Sequence, residues 1–94
     1  METIKILFPY DGIEEKELKE RIESIEGCSI DFEGQSNLDA EIVCMIAISL
    51  PPAIKATVDI IRDINANLVK RRVTILDSDN NIVKKNVKLE NITE

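Results

Sequence analysis

An α+β fold, a small and mainly antiparallel sheet of four strands with helices packed on one face, is what the sequence predicts. Three observations lead there. Short β-rich segments bounded by turn residues stand at both ends of the chain: TIKILF before Pro9-Tyr10-Asp11-Gly12, and two more around Asp77-Ser78-Asp79-Asn80-Asn81. Between them, two segments repeat apolar side chains at helical spacing. At 94 residues there is room for one core, so strands and helices must share it, and residues 1–94 read as a single domain.

Thr3 to Phe8 reads as an inner strand stopped by Pro9. Asp11 with Glu14 three positions on has the form of a capping box, so a helix should open near Gly12 or Ile13. Leu18, Ile22 and Ile25 then make a narrow apolar stripe. The opposite face pairs Glu15 with Lys19 and Glu17 with Arg21 in the favourable i,i+4 order, each worth about 0.3 kcal/mol. Gly27 suits the C′ position that ends such a helix. Cys28 to Glu33 alternates apolar with polar and reads as a half-buried strand, followed by a loop at Gly34-Gln35-Ser36-Asn37.

Leu38 to Leu50 admits two readings. The run EIVCMIAISL has the β-branched content of a buried strand, while Asn37 or Asp39 could cap a buried helix. With a helix over 38–49 the element order is β-α-β-α-α-β-β. With a strand over 41–49 the order becomes a ferredoxin-like split βαβ arrangement. Pro51 and Pro52 end whatever precedes them and suit the first turn of the next helix, in which Ile54, Val58, Ile61, Asn65 and Leu68 share one side. Lys70, Arg71 and Arg72 follow where the helix dipole favours cations. Val73–Leu76 and Ile82–Leu89 form a hairpin, and residues 91–94 are expected to fray.

The core is aliphatic and rich in isoleucine, with Phe8, Tyr10 and Phe32 as the aromatic side chains. The N-terminus lacks the pattern of a signal peptide, and the apolar stretch Ile42–Ile54 is interrupted by Ser49, Pro51 and Pro52 and falls short of the ~20 residues a membrane span needs. Cys28 and Cys44 are expected to be buried, reduced thiols of a cytoplasmic protein. The net charge of −6 is divided unevenly: residues 1–41 carry 12 acidic against 4 basic side chains, and residues 42–94 carry 6 against 8. An acidic chain argues against general nucleic-acid or anionic-membrane binding.

The chain contains no histidine, which removes Ser-His and Cys-His nucleophilic systems, and the glutamates of the first helix lie on a solvated face. No catalytic site is expected. Asp77, Asp79 and Asn81 copy the opening of a calcium loop, yet Ile82 stands where the glycine belongs and Lys88 where the bidentate acid belongs, so a hairpin turn is expected and no metal. Glycine-rich phosphate motifs are absent, and no cofactor is expected. Lys70, Arg71, Arg72, Lys84, Lys85 and Lys88 could form a basic patch, but no aromatic side chains accompany them for base stacking.

The second half carries a further pattern: Leu38 and Ala40, the apolar run Ile42–Leu50, Pro51-Pro52, a helix to Leu68, the basic Lys70–Arg72, then Val73-Thr74-Ile75 and Asp79–Val83. Over roughly residues 28–90 this resembles the effector-associated constant component domain of bacterial conflict systems. The resemblance implies that Leu38–Ser49 is a helix. It also implies a non-enzymatic component that docks with an effector such as a caspase-like or trypsin-like protease. The expected function is therefore a protein-interaction adaptor or regulatory subunit. Its expected contact patch is Met45, Ile48, Leu50 and Ile54, oriented by Glu14, Glu17, Glu20 and Glu23. A small phage-type inhibitor, a self-associating homo-oligomer and a ligand-binding module on a ferredoxin-like sheet are the alternative readings.

Overall fold

The computed structural model of the chain describes residues 3–10, 15–32 and 43–92. Its elements run β1 (Ile4–Pro9), α1 (Glu15–Glu23), β2 (Cys28–Asp31), β3 (Val43–Ile48), α2 (Pro52–Ile64), β4 (Arg72–Leu76) and β5 (Ile82–Lys88), with 3-10 turns at Leu68–Lys70 and Leu89–Asn91. The strands form one five-stranded sheet in the order β2-β3-β1-β4-β5, antiparallel at every junction. Through β4 this is the split βαβ order: β3 lies between β1 and β2, and β1 lies between β3 and β4. β5 extends the sheet by a hairpin.

The α+β class and the antiparallel sheet agree with the sequence reading. Two details do not. The sheet has five strands rather than four, because Val43–Ile48 is a strand and not part of a helix over 38–49. Accordingly the order is β-α-β-β-α-β-β, and the helix implied for Leu38–Ser49 is absent over Val43–Ile48; residues 38–42 lie outside the described residues. The reason is lateral. β3 has hydrogen-bonded neighbours on both edges, so its backbone groups are paired by β1 and β2. The second difference concerns α2, which stops at Ile64 instead of reaching Leu68. Asn65 is extended (φ −164°), and its Oδ1 accepts the Asn67 N–H at 2.9 Å, a local alternative to helix that asparagine offers the backbone. Leu68 is still buried, delivered by the 3-10 turn.

Both helices bury one stripe against the sheet. α1 contributes Leu18 and Ile22, and α2 contributes Ala53, Thr57, Val58 and Ile61. They meet Ile6 and Phe8 of β1, Cys44, Ile46 and Ile48 of β3, and Val73 and Ile75 of β4 in one cluster. Arg21 joins the helices through an ion pair of 2.8 Å to Asp63, while its expected partner Glu17 stands farther off at 3.8 Å. The pair expected between Glu15 and Lys19 does not form among the described residues. Arg71 pins the far end of β1: its guanidinium donates to the Pro9 carbonyl at 2.9 Å and lies 5.9 Å from the centre of the Phe8 ring.

The turn after α1 is closed by Gly27, whose φ of +86° is the left-handed region. A Cβ there would also meet Leu50 side-chain atoms at 2.8–3.0 Å.

Candidate interaction face of the sheet

Side chains alternate across a strand, so the two faces of this sheet can be assigned from the ladder. The helix face takes Ile6, Phe8, Cys44, Ile46, Ile48, Val73 and Ile75. The opposite face takes the residues of the other parity. There the register pairs Leu7 with Met45, Pro9 with Val43 and Lys5 with Ala47. Lys5 also faces Leu76, and Leu7 faces Thr74. Directly opposed side chains of an antiparallel pair lie on the same face. Leu7 and Met45 therefore centre an apolar strip continued by Ala47, Val43, Pro9 and Leu76. Ser29, Asp31 and Arg72 border it with polar groups, and Lys5 stands within it between Ala47 and Leu76. Leu7, Met45 and Ala47 are half-buried, while Pro9, Val43 and Leu76 are buried. The buried side chains of the described helices join the cluster on the other face, so no described helix lies on this one.

The structure does not bring the expected contact residues together. Met45 is in the strip. Ile48 is fully buried and points to the helix side, so it is a core residue and not a contact. Leu50, 40% exposed, sits in the turn between β3 and α2, against Gly27. Ile54 is half-buried in the first turn of α2, on the helix side. The exposed Glu17, Glu20 and Glu23 belong to α1, across the sheet from Met45, and Glu14 lies outside the described residues. Sequence reasoning missed Leu7, Val43 and Leu76. Their signal was present: apolar side chains of both parities in β1, β3 and β4, where a sheet covered on one side alone would alternate.

No known protein family, curated protein or solved structure matches this chain.

Asp77 is occupied by its own loop. Its Oδ1 accepts the N–H groups of Asp79 and Asn81, each at 2.9 Å, and the Asn81 amide approaches Oδ2 at 3.4 Å. These bonds, the Asn81 N–H foremost, hold its carboxyl below the usual carboxylate range. The loop is a hairpin turn with Asn80 in the left-handed region (φ 66°), and among the described residues no three His, Cys, Asp or Glu side chains gather to hold a metal. Thr57 donates its hydroxyl to the Ala53 carbonyl at 2.7 Å. That hydroxyl has one proton, so the Cys28 thiol, 3.3 Å away, is the donor in their contact. Neither cysteine is in a disulfide.

The basic patch is partly dismantled. Arg71 turns toward Pro9, and Arg72 donates to the Asn86 carbonyl at 2.9 Å. Tyr10 packs edge-on against Phe32 with ring centres 4.9 Å apart, and burial, aided by Glu15 and Cys44, raises its phenol above the ordinary value. No described helix is long and apolar enough to cross a membrane.

Proposed function

We propose that this chain is a non-enzymatic protein-interaction module that docks a partner protein on the face of its sheet that no described helix covers. The observation that supports this is the contiguous strip around Leu7 and Met45, apolar at the centre and polar at the border, which is the anatomy of a protein interface. Methionine is among the side chains enriched at such centres. The setting follows from the sequence resemblance: an adaptor or regulatory component of a bacterial conflict system, its partner an effector such as a caspase-like or trypsin-like protease. Action in the cytoplasm fits Cys28 and Cys44, which are not joined in a disulfide.

The test is capture of binding proteins from the native host on the immobilised chain, followed by mass spectrometry. Met45→Asp and Leu7→Asp are compared with Glu20→Lys on α1, each variant first checked for cooperative unfolding. The aspartate variants should lose the captured protein and Glu20→Lys should keep it. Capture that survives both aspartates, or no specific capture by the unaltered chain, overturns the reading.

A further inference from the structure

On the other side of the sheet a cleft opens between the strands and the start of α2. Ile4 and Ile6 of β1, Ile75 of β4, Val83 and Lys84 of β5, Ile54 of α2 and Ile92 line a volume of about 170 Å³. Six of these seven side chains are aliphatic, and Val83 at the mouth is 58% exposed. The seventh is a lysine where an aliphatic side chain would have closed the core.

The ladder explains how it comes to be there. Lys84 stands directly opposite Ile75 and so leaves the sheet on the helix face, with the core. The register shifts on both sides of this pair, between Val73 and Ile75 and again between Ile75 and Leu76. Asn86, beside the first shift, takes the left-handed φ of 59°. Bulges of this kind re-aim side chains next to sites. Here they turn Val83 and Lys84 to the same cleft. Lys84 makes no hydrogen bond or ion pair among the described residues. The first turn of α2, which supplies Ile54, holds no acidic side chain, so the positive end of that helix is not neutralised locally.

We propose that this cleft binds a small amphipathic carboxylate, with its alkyl chain among Ile4, Ile54, Ile75 and Ile92 and its carboxylate on the Lys84 ammonium. An aliphatic cavity of about 150 Å³ takes a molecule of benzene size, so the cleft accommodates about six to eight non-hydrogen atoms. The site shares no residue with the strip around Met45 and stands or falls separately from it.

Methyl NMR of the intact chain tests this, with butanoate, hexanoate, octanoate, hexanol and hexylamine as probes. Hexanoate should shift the methyl signals of Ile54, Ile75, Val83 and Ile92 and leave Met45 still. Affinity should rise about fourfold per methylene until the cleft is full, and hexanoate should bind more tightly than hexanol and hexanol more tightly than hexylamine. Lys84 is exposed, so Lys84→Met should leave the fold intact, weaken hexanoate about two- to fivefold and leave hexanol unchanged. Absence of cleft shifts with every carboxylate, equal binding of hexanoate and hexylamine, or full hexanoate affinity in Lys84→Met each overturns the proposal.

Discussion

Thr57 shows how a polar side chain is tolerated at full burial. Its hydroxyl both donates to Ala53 and accepts from Cys28, so nothing polar is orphaned. Thr57→Val keeps the shape but strips the thiol of its acceptor, and should cost about 1 kcal/mol in urea unfolding. In a Cys28→Ala background the same change should cost less, since the two residues act as a pair. Gly27 is held by its backbone and by a neighbour. Gly27→Ala should destabilise by about 1–3 kcal/mol, because alanine is strained at φ +86° and its Cβ meets Leu50. Leu50→Ala should relieve the contact but not the dihedral strain, so part of the cost should persist in the double variant. Asp77 carries a pH dependence. Its carboxyl is depressed in the folded chain, so its contribution is present above the ordinary carboxylate value and is lost as pH falls through the lower folded value. Asp77→Asn, which can still accept the loop N–H groups, should flatten that part of an acid titration below about pH 4 followed by circular dichroism.

Among the elements, β2 and α1 were legible from a period of their own, and β1, β4 and β5 from short β-rich runs bounded by turn residues. β3 was not, because an apolar run of that length satisfies a buried strand and a buried helix alike. What decides it is the pairing with β1 and β2, which is tertiary information. The same uncertainty misplaced the contact residues. Once Val43–Ile48 is a strand, Met45 and Ile48 must leave opposite faces, and no patch can contain both. The difference is measurable. Ile48→Ala should cost about 2–5 kcal/mol, as a fully buried aliphatic truncation does, whereas Met45→Asp on the half-buried face should cost about 1 kcal/mol.

For the whole molecule, the two halves of the chain interleave in the sheet, with β1 between β3 and β4, but the charged clusters stand on separate elements. The glutamates of α1 stand on the helix side, and Lys84 and Lys85 mark the outer strand β5. Opposite charges of this kind invite head-to-tail association, but β5 is interrupted by two register shifts and presents lysines, both obstacles to strand addition. The mass by light scattering should therefore stay at one chain of 10.6 kDa at low and at high salt. A mass that grows as salt is lowered would show that charge outweighs the irregular edge. The functional reading depends on the apolar strip of the sheet face that no described helix covers. The most direct measurement is the affinity of the captured partner for Met45→Asp beside Glu20→Lys, each shown to be folded. The account predicts a loss of tenfold or more for the first, by about 1.4 kcal/mol or above, and little change for the second. Undiminished affinity in Met45→Asp would contradict it.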